Sequence, residues 1–266
     1  MAEERYTHGH HASVLRSHAW RTADNSAAYL LAHLRPGQRL LDVGCGPGTI
    51  TADLAALVAP GEVVAMDNAP AVLAGAGALL AERGLANARV EQADVYGLPY
   101  GDASFDVVHA HQVLQHLGRP VAALSEMRRV CRPGGVVAAR DSDYPAMAWY
   151  PADPWLDRWM EMYLRVARAN GGEPAAGRRL LSWAREAGFS QVEVSASAWC
   201  FATDAERRWW GGSWAERVRS SLAEQALQGG HASGADLAAM AEAWERWAAS
   251  PDGCFVVPAT EVLCRP

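Results

Sequence analysis

The sequence predicts an α/β protein with a mostly parallel sheet covered by helices on both faces. Two observations carry this. Between Leu40 and Asp143, short apolar runs alternate with longer helical patterns, the order expected of consecutive βαβ units. The first of those runs, "LLDVGCGPGT" (Leu40 to Thr49), ends in an acid and then in three glycines spaced two apart, as a strand does when it turns tightly into a helix beside a ligand.

The elements follow in order. A helical segment around His11 to Leu34 precedes the turn signal "RPGQ", so residues 1–36 read as an N-terminal helical cap. "RLLDVG" is a buried strand, and "TITADLAALVA" is a helix closed by Pro60-Gly61. "EVVAMD" is the second strand; its helix, "PAVLAGAGALLAERG", has Pro70 near the start and Gly84 just past the end. "ARVEQAD" and "SFDVVHAH" are the third and fourth strands. The helix "VAALSEMRRVCR", the turn "PGG" and the fifth strand "VVAARDSD" come next. "QVEVSASAWCF" (Gln191 to Phe201) alternates as a sixth strand should, and "GCFVVPATEVLCRP" suits a seventh at an edge or bulge, where Pro258 is tolerated. A helical insertion with a further helix occupies residues 145–188, and a Trp-rich helical insertion runs from Thr203 to Ser250. No repeat or linker divides the chain, so residues 1–266 read as one domain.

Composition narrows the function. A formal charge of −6 with scattered arginines and no lysine argues against a protein that tracks the phosphates of nucleic acid. Five cysteines, an odd number without paired spacing, point to a reducing compartment. No stretch reaches the roughly 18 apolar residues of a membrane span, and the polar start "MAEERYTHGHH" is no signal peptide. The expectation is a cytoplasmic protein that does not bind membranes. Its oligomeric state is not legible.

A dinucleotide fingerprint requires G-x-G-x-x-G, but counting from Gly44 and Gly46 the third glycine position falls on Thr49. Pro47 also removes one N–H that a phosphate would use. A pyrophosphate is therefore disfavoured. The pattern from Asp42 through Gly44, Gly46 and Gly48, followed in order by "VVAMDNAP", "QADVYGLPY", "FDVVHAHQVLQHL" and "EMRRVCRPGG", resembles the class I S-adenosylmethionine (SAM) dependent methyltransferases. The likeness is to the small-molecule branch that includes the ubiquinone and menaquinone biosynthetic enzymes, and it spans Leu40 to Asp141.

The resemblance implies a Rossmann-like, seven-stranded sheet whose last strand runs antiparallel between the fifth and sixth. It implies SAM as cofactor, beside Asp42 and the three glycines. At the end of the second strand Asp67, with Asn68 beside it, suits the ribose diol. Asp94 and the N–H of Val95 suit the adenine. Arg21 is a candidate for the methionine carboxylate, in an N-terminal segment that also offers Tyr6, His10 and His11 to the site. No spacing of His8, His10 and His11 with nearby acids or thiols completes a metal site, so none is expected.

Methyl transfer from a sulfonium is an in-line displacement governed by positioning, with a base needed only for a protonated nucleophile. His111 and His116 after the fourth strand, and Tyr144 after the fifth, are the catalytic candidates, with His111 also expected to touch the cofactor beside its transferring methyl; Asp141 and Asp143 face the same opening and are candidates to bind the acceptor. Trp209, Trp210 and Trp214 in "RRWWGGSW" offer apolar faces to an acceptor, with the glycines suggesting a movable cover and Arg207 and Arg208 available to a carboxylate. Cys45 reads as a small filler. The leading function is O-methylation of a small-molecule or natural-product acceptor. Methylation of a peptide carboxylate, or at nitrogen or carbon, remains open, as do a nicotinamide-dependent oxidoreductase and a non-catalytic SAM-binding protein.

Overall fold

The computed structural model describes Thr7 and residues 17–266. Where one helical segment is expected before the first strand, the described part is a helical turn at residues 17–19, α1 (Ala23–Ser26) and α2 (Ala28–Leu31). The break has local causes. Thr22 and Asn25 close a reciprocal capping box that starts α1 afresh, and Ala27 leaves helical backbone at φ −134.

The core alternation is as expected: β1 (Leu40–Val43), α3 (Thr49–Val58), β2 (Val63–Asp67), α4 (Pro70–Glu82), β3 (Ala88–Gln92), β4 (Phe105–His111), α5 (Pro120–Val130) and β5 (Cys131–Ser142). The "PGG" turn is absorbed into β5 as an irregularity, where pairing with β4 jumps from Phe105–Cys131 to Val107–Val136. After β5 come a short strand that the sequence does not announce, β6 (Ala148–Tyr150), then α6 (Pro154–Ala169), α7 (Leu180–Glu186), β7 (Gln191–Phe201), α8 (Asp204–Arg217), α9 (Ser221–Gln228), α10 (Gly234–Ala249) and β8 (Cys254–Arg265).

The sheet runs β3-β2-β1-β4-β5-β8, with β7 and β6 also paired to β8. Pairings from β3 to β5 are parallel, and every pairing of β8 is antiparallel. The seventh expected strand thus lies between the fifth and the sixth. It is not at an edge, so Pro258 is tolerated for another reason. Its carbonyl accepts from Asp143 N at 3.0 Å, on the side where β5 pairing ends at Ala259 and β6 pairing resumes at Val256. The missing N–H falls in that gap, where no ladder bond is lost.

Strand alternation sends Leu40, Val63 and Val107 to one face, against Leu30, Ile50 and Leu54 of α2 and α3. It sends Leu41, Val64 and Val108 to the other, against Leu124 and Met127 of α5 and Leu180 of α7. A separate core unites α6, α8, α9 and α10 with Phe201, Phe255 and Val257 of β7 and β8. At its centre Trp159, Trp214 and Trp244 are fully buried.

Candidate active site

The glycine turn is built by three different constraints. Gly44 and Cys45 donate their N–H groups to Met66 O at 2.8 and 2.9 Å, binding the turn to β2. A Cβ on Gly44 would lie 2.5 Å from Val113 Cγ2, and one on Gly48 3.0 Å from Ala76 Cβ. Those two glycines let the chain pack on itself. Gly46, at φ +54, would direct a Cβ into open space. Its backbone is therefore bare toward the cleft, as a ligand approaching the main chain requires. Gly46 N donates to Asp67 Oδ2 at 3.2 Å, and Asp67 Oδ1 accepts from Ala69 N at 3.0 Å. A carboxylate has about four lone-pair sites, so both oxygens keep capacity for a diol.

Around the same cleft Asn68 is exposed and Val95 is buried. Asp94 is exposed and closes a turn by accepting from Tyr96 N at 2.9 Å. Asp42 differs from expectation. It points to the α3 face with Leu40, is 3% exposed, and uses Oδ1 on His109 Nδ1 at 2.8 Å and Oδ2 on Thr51 Oγ1 at 2.5 Å. It ties β1 to α3 and β4 beneath the turn rather than facing a ligand.

A small cavity of about 20 Å³ opens beyond the ends of β4 and β5. Trp20, Trp199, Trp209 and Trp210, with Tyr144, Met147 and Val257, give it an apolar lining; Ser17, His18, Arg21, Gln112, Ser142 and Arg217 supply its polar groups. Trp20 meets Trp199, Phe201 and Trp209 at 5.4 to 5.5 Å between ring centroids, joining the N-terminal segment to the cover. Trp199 Nε1 donates to Asn25 O at 2.7 Å, anchoring β7 to α1.

Gln112 follows β4 directly with φ +53, a conformation that costs a non-glycine residue about 1 to 3 kcal/mol. Its side chain accepts from Arg21 Nη2 at 3.0 Å and donates to Ser142 Oγ at 2.6 Å. A polar chain thus crosses the mouth of the sheet from Arg21 to β5. Sequence reasoning passed over Gln112, Ser142, Ser17, His18, Trp20, Trp199 and Arg217. Only Gln112 carried a signal, its place directly after the fourth strand.

Several expected residues stand elsewhere. His111 is buried beside Trp199, at 5.7 Å, and neither ring nitrogen has a hydrogen-bond partner among the described residues. Burial, with Arg21 and Arg140 adding to it, holds its pKa well below the ordinary value. It is not among the residues that line the cavity. His116 Nε2 lies 3.1 Å from Gln115 Nε2, outside the lining, and burial pushes its pKa down to about 3. Neither imidazole is placed as a base. Tyr144 does line the cavity, stacked on Tyr163 at 4.3 Å, and burial raises its pKa above the usual phenol value, keeping it a donor.

Asp141 is wholly buried below the cavity; Oδ1 accepts from Gln115 N at 3.0 Å, and burial pushes its pKa up to about 7. Asp143 is locked by Arg178 through two bonds of 2.5 and 2.7 Å, so it does not face an acceptor. Trp209 and Trp210 line the cavity, but Trp214, one turn beyond Trp210, is core, 4.6 Å from Trp159. Arg207 and Arg208 both pair with Asp204 on their own helix and stand outside the lining. Cys45 is buried and its thiol is pushed upward by burial and by Asp42 and Asp67, which suits a filler.

Tyr6, His8, His10 and His11 lie outside the described residues. Among the described residues no group of three or more His, Cys, Asp or Glu side chains is placed to hold a metal ion, and no helix is long and apolar enough to cross a membrane.

Strand order, the glycine turn and the acid ending β2 define a Rossmann-like enzyme that binds a cofactor at the carboxyl ends of its parallel strands. The chain belongs to the methyltransferase domain family, whose model matches residues 34–188, and is a SAM-dependent methyltransferase. It is similar to an uncharacterized methyltransferase of Schizosaccharomyces pombe, 35% identical over 97% of this chain and 95% of that one. A probable methyltransferase of Aspergillus luteorubrus is 31% identical over 77% of this chain and 76% of its own. The crystal structure of the [4+2]-cyclase SpnF covers 96% of this chain and 82% of its own at 23% identity and a TM-score of 0.55, a likeness of fold alone.

Proposed function

We propose that the protein methylates an oxygen of a small aromatic, natural-product-like acceptor seated in the tryptophan-lined cavity. The observation that carries this reading is the lining itself: four tryptophans and Tyr144 gather around a small cavity at the ends of β4 and β5. Indole faces of this kind give a planar acceptor surfaces to stack on once the side chains around the cavity part to admit it. SAM, when bound, supplies an electrophilic methyl group on a sulfonium.

The remaining roles belong to this chain. The bare backbone of Gly46 and the carboxylate of Asp67, with Asn68 beside it, suit the cofactor's main body and ribose, with Asp94 and Val95 at the adenine side. Arg21, steered by Gln112, suits its carboxylate. The enclosing tryptophans exclude water and fix the acceptor ring, which is where much of the rate of a displacement arises. Tyr144 holds its proton and can donate it in a hydrogen bond to the acceptor. His18 is the imidazole among the described lining residues, so it takes the role expected of His111 or His116, receiving the acceptor's hydroxyl proton on a ring nitrogen. The odd cysteine count supports cytoplasmic residence as part of the same reading.

The test is a product screen with trideuteromethyl-labelled SAM and a panel of hydroxylated, aminated and unsubstituted polycyclic aromatics, read by mass spectrometry. Label should appear on hydroxyl oxygen together with S-adenosylhomocysteine. Label confined to nitrogen or carbon would refute O-methylation, and a panel bound but never labelled would refute this acceptor class.

A further inference from the structure

Two thiols meet where the cover joins the sheet. Cys200 Sγ lies 3.7 Å from Cys254 Sγ, although the two residues are 54 positions apart in the chain. Cys200 is the last residue but one of β7, and Cys254 is the first of β8. Because Cys200 pairs with Val256, the two side chains stand diagonally on one face of the sheet. Their neighbours Trp199, Phe201 and Phe255 turn to the opposite face, into the core of the cover.

Their position in the chain matters as much as the contact. Everything helical in the cover, α8, α9 and α10, lies between these two cysteines. The pair therefore marks both the exit from the sheet to the cover and the return. Access also sets it apart from the other thiols. Cys200 is exposed and Cys254 half-buried, whereas Cys45, Cys131 and Cys264 are buried. Burial pushes the thiols of Cys131 and Cys264 up to about 12, which leaves them poor nucleophiles.

We propose that Cys200 and Cys254 form a redox clasp: a low-molecular-weight disulfide of the glutathione class joins them in a reversible cystine that pins the two ends of the cover together. The Cys200 thiolate attacks one sulfur of glutathione disulfide, forming a mixed disulfide while the other half leaves as a thiolate. The Cys254 thiolate then attacks Cys200 Sγ, and the second glutathione thiolate leaves. The two protein thiols lose two electrons, glutathione disulfide gains them, and the two protons shed by the cysteines pass to the departing thiolates. In a reducing compartment the pair rests as thiols and closes only when such disulfides accumulate. The clasp is independent of the acceptor.

The test incubates the full chain with glutathione disulfide at about pH 8, where exposed thiols begin to ionise, then maps the alkylated and digested protein by mass spectrometry. Peptides linked through Cys200 and Cys254, two hydrogens lighter than the reduced pair, should be the main product and should vanish with dithiothreitol. A disulfide closing so long a loop constrains the unfolded chain, so the oxidised protein should melt about 5 °C or more above the reduced one. Cys200→Ser and Cys254→Ser should melt close to the reduced parent and show no rise on oxidation. Thiols that stay free, glutathione left on Cys200, or a link to another cysteine or another chain would each overturn the proposal. So would a linked pair without the rise in melting temperature. The parent's peptide map and melting curve decide even if a variant fails to fold.

Discussion

His18 and His111 separate at the scale of single residues, although both are imidazoles near the end of β4. His18 lines the cavity, whereas His111 is outside the lining, with burial and two arginines opposing its protonation. If the acceptor loses a hydroxyl proton, His18→Gln should lower turnover by about a hundred to ten thousandfold at unchanged SAM affinity. His111→Gln should retain turnover within a few fold. Rate measurements on the two variants with a phenolic acceptor check this, and the reverse order would return the role to His111. Asp141 offers a second test. Burial raises its carboxyl to about 7 in the folded chain, against about 4 when unfolded. Between these values the folded state holds a proton that the unfolded state has released, so this group's stabilisation falls as pH rises, by up to about 1.4 kcal/mol per unit. Urea unfolding from pH 4 to 7 should show that slope in the parent and lose it in Asp141→Asn.

At the scale of elements, the adjacent glycines of α8 have opposite sensitivities. The "WWGG" stretch suggests a flexible cover, yet both glycines are inside the helix Asp204–Arg217. A Cβ on Gly211 would lie 2.8 Å from Ala248 Cβ and 2.9 Å from Trp244 O, so this glycine lets α8 press against α10. Gly211→Ala should cost about 1 to 3 kcal/mol through overpacking. Gly212 has nothing within 4 Å of the same position, and Gly212→Ala should stabilise by up to about 1 kcal/mol, since alanine is the better helix former. Thermal melts of the pair would show a packed cover by this opposition and a hinge by equal, small effects. The cover is not a detachable flap either, because Phe255 and Val257 of β8 belong to its core.

Over the whole molecule, the sequence was most readable where one physical rule acts alone. The βαβ order from β1 to β5 follows from apolar periodicity and glycine turns, and the antiparallel β8 follows from family resemblance. Asp42 was misread because strand alternation, which turns it inward to Thr51 and His109, competes with its place in a ligand motif. Trp210 and Trp214 are indistinguishable in sequence, yet only the first reaches the cavity. Arg217 and Trp199 announce nothing locally. They meet the site through pairing of β7 with β8 and packing of α8 across it, contacts distant in sequence.

The central claim is that one chain separates a cofactor cleft at Gly46 and Asp67 from an acceptor cavity under the tryptophans. Steady-state transfer of labelled methyl, with SAM and acceptor varied independently, tests it most directly in the parent, Asp67→Ala, Trp209→Ala and the control Asp102→Ala. Asp102 is exposed, pairs only with Arg129 among the described residues, and should change little. Asp67→Ala should raise the SAM requirement by up to about a hundredfold, as expected for losing charge-assisted bonds worth about 2 to 3 kcal/mol. Trp209→Ala should raise the acceptor requirement, by about 1 to 3 kcal/mol in apparent binding, and leave that for SAM within a few fold. Both requirements rising together in each variant, or Asp67→Ala leaving SAM unaffected, would contradict the account.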